Sequence, residues 1–135
     1  MKALYMLDTN ICIYISKHDP PGVFARFDRM IPGEVVMSVV TYGELCYGAN
    51  RSVQRAESFA KLNEILTDIP VEPLTPATGS AYGEVRASLA KQGRPIGAND
   101  LWIGAHALAL GLTLATNNER EFRRIAGLKV ENWTS

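Results

Sequence analysis

Asp8, Glu44 and Asp100 each stand where an apolar stretch meets polar residues, and carboxylates in such places need a physical reason. Asp8 closes the apolar run that ends Leu4-Tyr5-Met6-Leu7. A carboxylate closing an apolar strand bears a desolvation cost unless a cation or a helix N-terminus binds it. Glu44 lies within Val39-Val40-Thr41-Tyr42-Gly43-Glu44-Leu45-Cys46, and Asp100 stands directly before Leu101-Trp102-Ile103. Each has a plain structural reading: Asp8 as the cap of a helix beginning near Asn10, Glu44 as a solvated helix residue, Asp100 as a first-turn acid favoured by the helix dipole. Gathered at one place, the three would repel one another without a cation. Oxygen donors of this kind suit Mg²⁺ or Mn²⁺, with water and phosphate oxygens completing the coordination. Such a centre can acidify a water and neutralise charge developing in phosphodiester cleavage.

Other chemistries find little support. His106 sits among alanines and leucines and reads as a packing residue, while His18 belongs to the polar Lys17-His18-Asp19 turn. Neither a Gly-x-Ser-x-Gly elbow nor a Gly-Lys-Ser/Thr phosphate loop is present. Cys12 and Cys46 lie among apolar residues, far apart in sequence, and read as buried reduced thiols.

The elements that must position these groups alternate between strand and helix. Residues 2–7 predict a buried strand running into a helix capped by Thr9 or Asn10 and continuing through Ile15. Pro20-Pro21-Gly22 breaks the chain before a short helix over residues 23–30. Residues 34–39 form a second strand, followed by a helix through Tyr47 that carries Glu44, and another helix over residues 52–67. Residues 69–74 contain two prolines and predict an edge strand or an extended link. Thr75-Pro76 signals a helix to about Lys91, closed by Gly93, and a further helix runs from Asn99-Asp100 to Gly111. Residues 112–116 make a third clear strand, residues 119–125 a short helix, and residues 128–131 a last edge strand.

Alternation of this kind implies an α/β fold with a central parallel sheet of about five short strands and helices on both faces. The 135 residues fit a single domain, 1–135. Ligands of open α/β sheets collect outside the carboxyl ends of the strands. Asp8, the Thr116-Asn117-Asn118 segment and the starts of the helices bearing Glu44 and Asp100 fall there. Asn118 has its own reading as a turn residue.

With 14 basic and 14 acidic residues the net charge is zero, which excludes a generally basic nucleic-acid binder but not a local basic surface beside an acidic site. No apolar run reaches the roughly 20 residues of a membrane span, and the first charged residues come too early for a signal peptide, so a cytoplasmic protein is expected.

Taken together, several segments resemble PIN-domain toxins of the VapC type. They are Leu7-Asp8-Thr9-Asn10, Thr41-Tyr42-Gly43-Glu44-Leu45 with Tyr47-Gly48-Ala49, and Gly93-Arg94-Pro95-Ile96-Gly97-Ala98-Asn99-Asp100-Leu101-Trp102-Ile103. Thr116-Asn117-Asn118-Glu119-Arg120-Glu121-Phe122 and Glu131-Asn132-Trp133 complete the set. The resemblance covers nearly the whole chain in order and spacing, and implies a PIN fold and an Mg²⁺- or Mn²⁺-dependent endoribonuclease. Its acidic site residues carry over to Asp8, Glu44 and Asp100. The fourth acidic position falls on Asn118, a weaker neutral ligand, with Glu121 the nearest carboxylate that could compensate, although it also reads as an exposed helix residue. Thr9 and Thr116 match hydroxyl positions lining such sites. The resemblance further implies a homodimer, inhibition by a VapB-type antitoxin, operator DNA bound only through that antitoxin, and structured RNA as substrate, with the initiator tRNA anticodon stem-loop as the best-fitting candidate. Arg94 and Arg120, each beside a site segment, are the expected phosphate contacts.

Two rival readings remain. A phosphatase with Asp8 as nucleophile would normally want a second aspartate two residues on, where this chain has Asn10. A degenerate, non-catalytic binding module would fit Asn118 but not three retained carboxylates.

Overall fold

Short apolar runs pair because their backbone groups must be satisfied where their side chains are buried. The computed structural model describes residues 2–134, so both ends of the expected 1–135 domain, Met1 and Ser135, lie outside the described residues. Along the chain come β1 (Tyr5–Leu7), α1 (Thr9–Lys17), α2 (Pro21–Asp28), β2 (Val35–Ser38), α3 (Val39–Arg51) and α4 (Arg55–Leu66). The second half holds β3 (Val71–Glu72), α5 (Pro76–Lys91), α6 (Ala98–Leu110), β4 (Thr113–Thr116), α7 (Glu119–Phe122) and β5 (Val130–Asn132).

The five strands form one sheet in the order β3-β2-β1-β4-β5, and every pairing is parallel. β1 is central, with Tyr5 opposite both Val35 and Thr113. From β1 the chain winds outward through β2 to β3, then crosses back to β4 on the other side. The winding therefore reverses between β1 and β4, and a crevice opens beyond their carboxyl ends.

The pleat divides the core into two layers, since successive strand side chains point to opposite faces. Met6, Val36 and Leu114 pack with Val85, Leu89, Leu101, Ile103, Ala107, Phe122 and Ile125 under α5, α6 and α7. Leu7, Val35, Met37 and Ala115 pack with Ile11, Cys12, Ile15, Val23 and Trp133 on the other face. Trp133 is almost fully buried. The Tyr5 ring stands edge-on to it at 5.4 Å, the Arg26 guanidinium lies 5.0 Å from its ring centre, and Arg26 pairs with Glu131.

Several boundaries differ from the sequence expectation. β2 ends at Ser38, because its hydroxyl accepts from Val40 N at 3.1 Å and starts α3 at Val39. The cap of α1 is Asp8 rather than Thr9 or Asn10, accepting from Thr9 N at 2.8 Å. α2 begins at Pro21, whose fixed φ suits a first helical turn, so the Pro-Pro-Gly break lies inside the helix start. α7 stops at Phe122, and β5 extends to Asn132. Both thiols are free, but Cys46 is only half-buried.

His106 packs as expected: it is buried, and its Nδ1 lies 2.8 Å from Ser38 Oγ, which ties α6 to the β2–α3 junction. Burial pushes its pKa down. His18 is exposed and stacks on Phe24 with ring centres 4.0 Å apart.

Gly104 lies in the middle of α6, where a Cβ would overlap Ile125 Cδ1 and sit 3.4 Å from Phe122 Cδ1. Alanine normally gains stability over glycine inside a helix, so a loss here isolates the packing constraint. Gly104→Ala is expected to cost about 1–3 kcal/mol in urea unfolding. Ile125→Val in the same background should recover part of that loss. A Gly104→Ala protein as stable as the wild type would refute the close approach of α6 and Ile125.

Candidate active site at the carboxyl edge of the sheet

The crevice between β1 and β4 collects the residues that the sequence singles out. Asp8 follows β1 and is 5% exposed, with each oxygen held by one donor: Oδ1 by Thr9 N and Oδ2 by Thr116 Oγ1, both at 2.8 Å. Burial drives its pKa up, the two hydrogen bonds oppose that, and repulsion from Glu44 and Glu121 adds to it. The Thr116 hydroxyl also accepts from Asn118 N at 2.9 Å, which fixes the turn after β4.

Glu44 reaches the crevice from α3. The Thr9 hydroxyl donates to its Oε1 at 2.5 Å and lies 3.2 Å from the Thr41 hydroxyl, while Asn99 Nδ2 donates to Oε2 at 3.3 Å. Asp100 enters from the first turn of α6. Its pKa is pushed up to about 6, first by burial and then by repulsion from Asp8, Glu121 and Glu44. Glu44 therefore lies near enough to both Asp8 and Asp100 to repel their charged forms.

Glu121 does not behave as an exposed helix residue. It is half-buried, accepts from Gly97 N at 3.3 Å and from Asn118 Nδ2 at 2.9 Å, and acts electrostatically on both Asp8 and Asp100. Asn118 spends its amide on Glu121, so the neutral residue positions a carboxylate instead of standing alone. Thr41 and Asn99 were not singled out from the sequence. Their signals are spacing alone, one turn before Glu44 and immediately before Asp100. Arg94 and Arg120 are exposed on flanking segments, and neither forms an ion pair among the described residues.

Four carboxylates therefore face one crevice, and among the described residues no Lys, Arg or His pairs with any of them. Hard oxygen donors with uncompensated charge fit a divalent cation. Also among the described residues, no three such groups are already gathered closely enough to hold an ion. Thr9 and Asn99 hold Glu44, and Gly97 and Asn118 hold Glu121.

A family model described as the PIN domain matches residues 5–128. The chain belongs to the PIN-domain family, in its VapC branch. Ribonuclease VapC1 of Haemophilus influenzae (strain R2866) is 45% identical over 134 residues, covering 97% of this chain and 98% of that protein. A Shigella flexneri protein named tRNA(fMet)-specific endonuclease VapC is 42% identical over 130 residues, covering 96% and 98%. Among solved structures, DNA-bound VapBC from Salmonella typhimurium superposes with a TM-score of 0.91 at 35% identity, covering 97% of this chain and 98% of that one. The five-stranded parallel sheet with its helices is thus the PIN fold, and nucleases of this family generally use a divalent metal ion.

A raised carboxylate pKa has a fixed sign for stability. Asp100 titrates near 3.9 when unfolded and about 6 when folded. Its favourable contribution is complete below about pH 4 and is lost as pH rises through about 6. In chelator, Asp100→Asn should therefore melt higher than the wild type at pH 7.5, with the gap closing toward pH 4. A wild type that melts above the variant at pH 7.5 would show that folding does not raise the Asp100 pKa.

Proposed function

We propose that this chain is a metal-dependent endoribonuclease, the toxin of a type II toxin–antitoxin pair, acting as one PIN domain over residues 1–135 in the cytoplasm. The observation that carries this reading is the crevice with Asp8, Glu44, Asp100 and Glu121 and no basic partner among the described residues. Asp8, Glu44 and Asp100 would hold the ion, with Glu121 taking the fourth carboxylate place and Asn118 orienting it or adding a weak ligand. Mg²⁺ or Mn²⁺, when bound there, supplies charge neutralisation at the scissile phosphate. Thr116 and Thr9 keep the oxygens of Asp8 and Glu44 aimed at the crevice. Water attacks phosphorus in line with the leaving oxygen, and the P–O bond to that oxygen breaks.

The names of the Shigella and Haemophilus relatives support RNA as the substrate class, and the former supports initiator tRNA; the proposal places the cut at its anticodon stem-loop. Arg94 and Arg120 lie beside the crevice and suit phosphate contacts. The VapBC structures support a VapB-type antitoxin as partner; operator DNA bound only through that antitoxin, and a homodimer within the larger complex, are further parts of the proposal. A groove of about 360 Å³ lined by Cys12, Ser16, Glu44, Leu45, Ala49 and Ile65 leads from Glu44 between α1, α3 and α4. An antitoxin tail lying there could send an Arg or Lys to the carboxylates.

The phosphatase reading is weaker, because Asn10 hydrogen-bonds to Asn117 and offers no proton-donating carboxyl. The binding-module reading loses its motive once Glu121 joins the carboxylates.

Purified tRNA incubated with Mg²⁺ or Mn²⁺ tests the proposal. The wild type should cut one tRNA at a defined position, chelator should stop it, and Asp8→Ala, Asp100→Ala and Glu121→Gln should lower the rate at least tenfold while remaining folded. Equal inactivity of the wild type and variants on tRNA, ribosomal RNA and generic RNA would end the nuclease reading. Arg94→Ala and Arg120→Ala should each flatten the salt dependence of tRNA binding by about one unit of slope. An unchanged slope in both removes these arginines from the RNA surface.

A further inference from the structure

The exposed end of the α3–α4 hairpin carries an arrangement that packing does not explain. Tyr47 is 63% exposed, and the Arg51 guanidinium lies 5.3 Å from its ring centre. On the next helix Arg55 lies 5.0 Å from the Phe59 ring, and its Nε donates to Asn50 Oδ1 at 3.1 Å. Asn50 is in turn bonded to Cys46 O at 2.9 Å. Residues 47–55 contain both arginines and no acid, and neither arginine forms an ion pair among the described residues. In a chain of zero net charge, two cations are thus held in place by aromatic faces and an amide, not by carboxylates.

Position gives this patch its meaning. Glu44, Tyr47 and Arg51 recur at i, i+3 and i+7 on α3, so they lie along one face, with Arg51 about 10 Å along the axis from Glu44. Gly43 stands one turn before Tyr47, and a Cβ there would meet nothing within 4 Å. A glycine inside a helix costs stability, and no neighbour here requires its small size. The helix surface beside the carboxylate, one turn before the ring, therefore carries no side chain.

We propose that Tyr47, Arg51 and Arg55 form a secondary RNA-binding patch, in which an unpaired base stacks on Tyr47 and flanking phosphates meet the two guanidinium groups. The proposal rests on the nuclease reading above and deepens it by naming the substrate feature that the patch takes: a single-stranded loop continuing outward from the cut site. Aromatic stacking is tolerant of base identity, and arginines beside the ring supply the phosphate contacts that such loops need. The local excess of positive charge favours RNA over a protein partner. Docking of an antitoxin segment on this face is the alternative that the experiment must separate.

The experiment uses the full chain with two RNAs, purified tRNA and a dinucleotide whose single phosphodiester, once in the crevice, leaves no further phosphate for Arg51 or Arg55. Binding is read by anisotropy in chelator and cleavage with Mg²⁺ or Mn²⁺. Tyr47→Ala is expected to weaken tRNA binding and raise KM about tenfold, with kcat within about twofold. Tyr47→Phe should stay close to the wild type. Arg51→Ala and Arg55→Ala should each lower the salt slope of tRNA binding by about one. All four variants should melt like the wild type and cut the dinucleotide at an unchanged rate. Unchanged tRNA binding by Tyr47→Ala overturns the proposal. So does an equal loss on both RNAs, which would mean that the ring acts on the crevice through α3. Weakened binding of a VapB-type antitoxin with tRNA binding intact would assign the face to the protein partner and overturn it too. A wild type that binds tRNA through Tyr47 but cuts neither RNA would sink the nuclease reading alone.

Discussion

Repulsion among carboxylates that have no cationic partner within the described protein is the constraint around which this molecule is arranged. Asp8 is buried, Asp100 is half-buried, and Glu44 and Glu121 act on both. Like charges held together in a low-dielectric crevice raise one another's proton affinity and oppose folding. The fold tolerates them because both oxygens of Asp8, Glu44 and Glu121 meet a donor: two threonine hydroxyls, two asparagine amides and two backbone N–H groups. Those donors come from the turn after β1, the turn after β4, and the loop into α6. The reversal of strand order between β1 and β4 brings them to one edge, since it leaves a crevice where neighbouring crossover connections diverge.

Much of this was legible in the sequence, because it depends on local pattern. Alternating apolar runs and helix signals imply the parallel sheet, and Asp8 stands out because a carboxylate cannot close an apolar strand without cost. Glu44 and Asp100 carry weaker signals, each equally consistent with an ordinary helix acid, and they become informative only as members of the family pattern. What stayed hidden depends on three-dimensional pairing. Glu121 looks like a surface helix residue because α7 is a single turn whose orientation is set by Phe122 entering the core. Asn118 looks like a lost ligand until its amide is seen on Glu121. The boundary at Ser38 is hidden for a similar reason: Val39 has strand propensity, but the serine hydroxyl captures the next turn as helix.

The two faces of the sheet carry different duties. Under α5, α6 and α7 the packing is tight, as the close approach at Gly104 illustrates, and this side fixes Asp100 and Glu121. On the other side α1, α3 and α4 leave a groove that opens beside Glu44. One layer thus holds the chemistry still, while the other offers surface to whatever approaches it. α3 belongs to both, since it carries Glu44 at the crevice and Tyr47 to Arg51 beyond it.

The bond from Thr116 to Asp8 joins residues 108 positions apart, and Trp133 seals the layer beneath Asp8 by packing with Leu7 and Ile11 and donating its backbone N–H to Thr116 O. Long-range closure of this kind forms late, because loop entropy must be overcome before the contacts reward it. β1 can pair with β2 as soon as residues 35–38 are made, but Asp8 stays without the Thr116 hydroxyl until β4 follows. The crevice is therefore completed by distant parts of the chain: a segment reaching only through α5 holds Asp8 and Glu44 but lacks Asp100, Thr116 and Glu121, and has no assembled centre.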